Sequence, residues 1–355
     1  MKAARWYAAK DIRVEETAIP ILKKNQVKIE VQFTGICGSD LHEYLHGPLL
    51  IPPQEKPYSL NGHSGVTTLG HEFSGIIVEI GQDVHSDNIQ LGDRVVVEPT
   101  YKNPNSVFTS KGEYNLSEPL GFIGLMANGA FAKYVIVEDY MVHKIPDSMS
   151  FEQGALVEPS AVAVYAVRQS NLQLGETCVI FGAGPIGLLC LLAAMAAGAT
   201  RIIIVDIAEK RLKKARELGA TLIINGKDEN ISQQIKKHTG GLGADVYIDA
   251  AGVQSTFTTG IASLRNGGRA VLIALFEKPV TVNALDLVKR EITIKGTCAS
   301  RNVFPDVIKL IDSKQMNVEA LITRKIKLDD IVKDGFEALV SDPSEVKILI
   351  DIGAN

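Results

Sequence analysis

The segment "GICGSDLHEY" places Cys37 beside Ser39, Asp40 and His42 in a chain of 355 residues that holds only four cysteines. A cysteine in such company is a redox thiol, a nucleophile, a metal ligand or a small buried hydrophobe. Its immediate neighbours do not choose among these. In "TLGHEFSG", His71 and Glu72 stand together after Gly70, and "ALVEPSAVAVYAV" puts Glu158 ahead of an apolar segment. A catalytic zinc ion uses three protein ligands and keeps a fourth position open; Cys37 as thiolate, neutral His71 and a further anion such as Glu158 would supply them. Glu158 also has a plainer use, since a carboxylate in the first turn of a helix interacts favourably with the helix dipole.

A second group is built from glycine. "FGAGPIG" carries Gly182, Gly184 and Gly187 in the pattern G-x-G-x-x-G, a weak signal by itself in a chain with 31 glycines. Its context strengthens it. The glycines follow the strand-like "CVIF" and, through Pro185 and Ile186, open an apolar helix, so amide groups and the positive end of the helix dipole would face a pyrophosphate. Asp206 closes "RIIIVD" roughly 20 residues beyond, where an acidic side chain accepts the ribose hydroxyls and repels a 2′-phosphate. NAD is therefore expected rather than NADP. Arg211, about one helical turn further, either reaches the ribose or is a solvated helix charge.

These groups need two kinds of scaffold. From the start to about residue 151 the chain offers short β-rich runs, "QVKIEVQF", "GIIVEI", "DRVVVEP" and "FAKYVIVE", broken by Gly, Pro and Asp. The middle alternates buried strands with helical segments: "TCVIFGAG", "IGLLCLLAAMAAGA", "RIIIVDI", "AEKRLKKARELG", "TLIIN", "ADVYIDAAG", "TFTTGIASLR", "GGRAVLIAL" and "EITIKGT". That alternation predicts a doubly wound parallel sheet with helices on both faces. The closing "FPDVIKLIDS" and "EVKILIDI" read as a return to the first domain, whose sheet would gain a last strand. The expected class is α/β, with a mostly β catalytic domain over 1–155 and 301–355 and a cofactor domain over 156–300.

Composition sets outer bounds. Hydrophobic residues make up 46% and charged residues 22%, with a net charge of −4, so no broad electrostatic attraction to nucleic acid or an anionic membrane is expected. The N-terminal "MKAARWYAAKDIRVEE" lacks a signal-peptide core, and the most apolar run, 186–199, is shorter than the roughly 20 residues a bilayer requires. A cytoplasmic location is the expectation. Cys37, Cys178, Cys190 and Cys298 are too scattered to suggest a disulfide framework.

"GHEFSGIIVEIGQDV" matches the G-H-E-x-x-G-x-x-x-x-x-G-x-x-V pattern of the zinc-containing medium-chain alcohol dehydrogenases, and "GICGSDLH" is similar to that family's first zinc-ligand segment. The resemblance spans essentially the whole chain, including "RVVVEP", "FGAGPIG" and "KILI". It implies a GroES-like catalytic domain joined to a Rossmann domain. It further implies Cys37, His71 and Glu158 as zinc ligands, Glu72 as a neighbouring or alternative ligand, and Asp40 as the partner of the far His71 nitrogen. Ser39 would touch the substrate hydroxyl and His42 would pass the proton to solvent. "CGSDLHEYLHGPLLIP", "GFIGL" and "ALVEPSAVAVYAVR" look most like the branch that interconverts 2,3-butanediol and acetoin and reduces diacetyl. A homo-oligomer, dimer or tetramer, is also implied.

One departure from the family matters. Many members hold a second, structural zinc with four closely spaced cysteines after the "VVVEP" segment, but here the lobe reads "TYKNPNSVFTSKGEYNLSEPLGF" and has none. A closed structural site normally needs thiolates, so one zinc per chain is expected, and a subunit interface borrowed from four-cysteine relatives is in doubt. Three rival readings stand beside this one. A sorbitol-like polyol dehydrogenase would use the same ligands, a zinc-free quinone reductase would lack the intact "GHE", and a non-catalytic dinucleotide-binding sensor or structural protein would be expected to lose Cys37 or His71.

Overall fold

A computed structural model describes residues 1–84 and 89–354. Contacts divide the chain into two compact units, Met1–Pro159 with Phe304–Asp312 and Ile322–Asn355, and Ser160–Val303 with Ser313–Leu321. The sequence assigns 156–300 to the cofactor domain and everything from 301 onward to the first domain, whereas residues 156–159 group with the first unit and residues 301–303 and 313–321 with the second. For 313–321 the cause is packing: Val318 and Leu321 are buried and their turn, Val318–Leu321, lies against the helix Pro185–Ala196.

The first unit begins with β1 (Lys2–Ala8) and β2 (Asp11–Glu16), then β3 (Gln26–Gly35), β4 (Thr67–Thr68), β5 (Glu72–Ile80), β6 (Arg94–Val97), β7 (Tyr134–Glu138) and β8 (Val142–Lys144). In β3, Val27, Ile29 and Val31 are fully buried while Lys28 and Glu30 face outward, the period-two pattern of a strand with one face on a core.

The second unit holds β9 (Thr177–Phe181), β10 (Arg201–Asp206), β11 (Leu222–Asn225), β12 (Ala244–Asp249), β13 (Leu264–Leu272) and β14 (Thr293–Gly296). All pair in parallel, in the order β11-β10-β9-β12-β13-β14. Ile202, Ile203 and Ile204 are buried in succession, as expected for a strand covered on both faces. Strand order reverses between β9 and β12, and a doubly wound sheet takes its ligand in the crevice at the carboxyl ends of such a pair.

The chain then returns with β15 (Ile322–Lys327) and β16 (Lys347–Asp351). They complete a seven-stranded sheet ordered β15-β16-β3-β5-β6-β8, with β7 also paired to β3. The register is what matters for chemistry. Gly35 at the end of β3 faces Glu72 at the start of β5 on one side and Leu349 of β16 on the other. Residues just after β3 and just before β5 therefore meet.

Candidate active site

That register brings Cys37 to His71. Cys37 caps the helix Gly38–His46 in an extended conformation, and its backbone N–H donates to Asp40 Oδ2 at 2.9 Å. The exchange fixes the Asp40 carboxylate, which is fully buried and turns its other oxygen toward His71. Asp40 Oδ1 stands 3.4 Å from His71 Nδ1, and neither atom has a hydrogen-bond partner. Ser39 Oγ lies 3.2 Å from His71 Nε2, and the Cys37 thiol lies within electrostatic range of the imidazole. Burial alone would lower the His71 pKa, but the Asp40 carboxylate and the Cys37 thiol raise it well above its ordinary value.

The other residues named from sequence take different places. Glu72 is fully buried, with Lys347 Nζ 2.9 and 2.6 Å from its two oxygens. Its carboxylate presses against Gly35, where any side chain would collide with it. Glu158 sits in the first turn of the helix Val157–Gln169. Burial pushes its carboxyl up to about 7, opposed by His71 and Lys347 and reinforced by Glu72 and Asp40. His42, half-buried in the helix Gly38–His46, makes no side-chain hydrogen bond among the described residues. Among those residues, no three His, Cys, Asp or Glu side chains stand close enough as a group to hold a metal ion. The pair Cys37 and His71 is brought together; Glu158 lies within electrostatic range of His71 but does not close a three-donor set.

Lys347 escaped the sequence reading. Its signal was a lone lysine inside the apolar "EVKILIDI", whose neighbours Ile348, Leu349 and Ile350 are fully buried. A charge at such a position needs a buried partner, and the sequence does not say which.

In the second unit, Gly182 adopts a φ of +98°, and a Cβ there would meet the Ala250 carbonyl oxygen at 2.8 Å. A Cβ on Gly187 would run into the Gly182 carbonyl. At Gly184 it would meet nothing nearer than Arg211 Nη1, at 3.9 Å. The glycine loop is thus packed at its ends and open in the middle, with a guanidinium alongside. Gly184 caps the helix Pro185–Ala196, and Pro185 takes the first helical position, where a missing N–H costs nothing. Gly184, Pro185 and Ile186 are all only partly buried. Asp206 Oδ2 accepts the Ala183 N–H at 2.6 Å and Oδ1 the Ala208 N–H at 2.8 Å. The carboxylate is held against the glycine loop itself.

The cysteine-free lobe is closed by other means. Tyr114 donates to Glu98 Oε1 at 2.6 Å, and the Lys102 ammonium lies 4.3 Å from the Tyr114 ring centroid and 5.0 Å from that of Tyr140. Glu98, Tyr114 and Asn115 are buried. Among the described residues no helix is long and apolar enough to cross a membrane.

Comparison with known proteins gives the site its context. Residues 23–147 match the alcohol dehydrogenase GroES-like domain and residues 185–313 match the zinc-binding dehydrogenase domain. The chain is 45% identical to the (R,R)-butanediol dehydrogenase of Bacillus subtilis over 351 residues, 99% of each chain. It is 35% identical to bovine sorbitol dehydrogenase over 322 residues, 90% of this chain and 87% of that one. The crystal structure of 2R,3R-butanediol dehydrogenase from Bacillus subtilis superimposes with a TM-score of 0.93 at 44% identity, covering 99% of both chains. The chain belongs to the zinc-dependent, NAD(P)-linked medium-chain alcohol dehydrogenases.

Proposed function

We propose that this chain interconverts 2,3-butanediol and acetoin, and reduces diacetyl, using NAD and a single zinc ion held by Cys37, His71 and Glu158. The observation that carries the reading is the meeting of the Cys37 thiol, the His71 imidazole and the Ser39 hydroxyl at the paired ends of β3 and β5. The donor set fits zinc in chemistry: one sulfur, one nitrogen and one oxygen. A cation there would also compensate Glu158, whose carboxyl burial pushes up to about 7. When bound, zinc supplies a Lewis acid that polarises an alcohol or carbonyl oxygen.

The chain's own residues do the rest. Asp40, facing His71 Nδ1 at 3.4 Å, favours the proton on that nitrogen and so leaves the lone pair on Nε2. Ser39, at 3.2 Å from Nε2, is placed to exchange a proton with the substrate hydroxyl. His42, in the same helix, carries that proton onward to solvent. Lys347 holds Glu72 beside the ligands as a neutralised pair. Asp206 takes the ribose hydroxyls and disfavours a 2′-phosphate, while Gly184, Pro185 and Ile186 receive the pyrophosphate with Arg211 beside them.

The substrate class rests on the butanediol dehydrogenase at 45% identity, and the sorbitol dehydrogenase at 35% favours polyols as the second reading. The reading of one zinc per chain is supported by a lobe that has tyrosine, glutamate and lysine contacts and no cysteines. A homo-oligomer, dimer or tetramer, in the cytoplasm completes the reading. Elemental analysis should find one zinc per chain, and acetoin and butanediol should turn over faster than sorbitol, with NAD over NADP. Cys37→Ala should lose zinc and turnover while keeping NAD binding. Acetoin reduction surviving in that variant would overturn the mechanism.

A further inference from the structure

Next to the glycine loop lies a buried polar cluster that the proposed reaction does not use. Asp249, at the end of β12, is fully buried. Its Oδ1 accepts the backbone N–H groups of Ala251 at 2.9 Å and Gly252 at 2.8 Å. Its Oδ2 accepts Thr256 Oγ1 at 3.0 Å and the hydroxyl of Tyr247. Tyr247 is also fully buried, its hydroxyl within 2.9 Å of the Thr256 carbonyl oxygen and its ring against Gly260, where no side chain would fit. Burial, reinforced by the Asp249 charge, pushes the Tyr247 pKa far up, so the hydroxyl remains a donor.

The turn tied down in this way, residues 250–252, packs directly against the glycine loop. A Cβ at Gly182 would come within 2.8 Å of the Ala250 oxygen and 3.1 Å of the Ala251 nitrogen, and the Ala250 N–H donates to the Phe181 carbonyl at 2.8 Å. On its other side, the N–H groups of Ile273 and Ala274 donate to the Asp249 carbonyl, each at 3.1 Å. The carboxyl ends of β9, β12 and β13 are therefore coupled through one turn at the reversal of strand order, where a dinucleotide lies. Four donors converge on a single carboxylate, and a buried network rewards full satisfaction with rigidity.

We propose that Tyr247 and Asp249 are positioning residues for the dinucleotide. They latch the 250–252 turn, which sets the height of Gly182 and hence of the amides offered to the pyrophosphate. The proposal rests on the dinucleotide reading of the glycine loop and is indifferent to the choice between NAD and NADP.

Two variants that remove single hydroxyls, Tyr247→Phe and Thr256→Val, test it in the full-length zinc-loaded enzyme. Ile235→Val is the control, because Ile235 is fully buried in the same core cluster and loses only apolar contact. Each Tyr247 or Thr256 variant should raise the Kd and KM for NAD roughly three- to tenfold, the worth of one buried hydrogen bond. At saturating cofactor, kcat should stay within about twofold and zinc content should not change. Ile235→Val should lower Tm without moving the NAD Kd. The idea fails if both hydroxyl variants lower Tm as Ile235→Val does and leave the NAD Kd within about twofold of the parent. Measuring NADP on the parent enzyme separates this outcome from an error in the Asp206 assignment, which would reverse the parent's preference but not the variant-to-parent ratio.

Discussion

Lys347 Nζ lies 2.9 and 2.6 Å from the two oxygens of Glu72 and 3.1 Å from the carbonyl oxygen of Ile36, with the paired side chains 2% and 1% exposed. One ammonium thus joins the last strand to the residue before Cys37 and to the residue after His71. Burial alone would lower the Lys347 pKa, but the Glu72 carboxylate raises it, which keeps the ammonium charged. Lys347→Met should strand a buried carboxylate and cost about 3–5 kcal/mol. Urea unfolding of zinc-free protein would measure it, and adding Glu72→Gln should restore part of the loss. A single variant as stable as the parent would show that Glu72 finds another partner.

Glu43 gives a second prediction. Its fully buried carboxylate accepts the backbone N–H groups of Leu49, at 3.1 and 3.0 Å, of Leu50, and of Ile51 at 3.3 Å. It anchors the loop that follows the Ser39 and His42 helix. Glu43→Gln replaces one acceptor with a donor facing donors, and should cost roughly 1.5–3 kcal/mol, the value of hydrogen bonds to a charged group. Unfolding that matches the parent would mean the loop is held elsewhere.

Alkaline pH should weaken the second unit. Burial pushes the Cys190 thiol up to about 12 and the Cys178 thiol higher still. The unfolded thiol titrates near 8.5, about the ordinary value. Because the folded pKa is raised, the contribution is complete below the unfolded value and declines as pH rises through the window up to the folded one. Tm should fall between about pH 8.5 and 11, and Cys190→Ala should flatten that slope. Parallel slopes in parent and variant would assign the loss to other groups.

Asp206 both reads the ribose, as proposed, and accepts the Ala183 N–H, so its substitutions separate two effects. Asp206→Ser should weaken NAD and relax the bias against NADP. Asp206→Asn retains an acceptor for the loop while removing the charge, and should shift the NAD-to-NADP ratio of kcat/KM with less loss of NAD affinity. An unchanged ratio in both variants would show that another residue reads the ribose.

The parallel sheet and its glycine loop were legible because their signals are local. Apolar strands such as "RIIIVD" must be covered on both faces, and glycines between a strand and a helix mark a close approach of backbone to ligand. The family was legible too, since "GICGSDLH" and "GHEFSG" are recognisable motifs that place Cys37 and His71 next to strand ends. Long-range register lies outside such signals. The pairing of Gly35 with Glu72 decides that the Cys37 and His71 segments meet, and Lys347 reaches Glu72 across 275 positions of sequence. A lysine in an apolar strand reads as a solvated end until the sheet closes over it, and the turn Val318–Leu321 reads as part of the first domain until its two apolar side chains find the helix Pro185–Ala196. The sequence by itself determined which residue types were on offer; only the tertiary structure decided which of them share a buried space, because burial is a property of the whole packed chain.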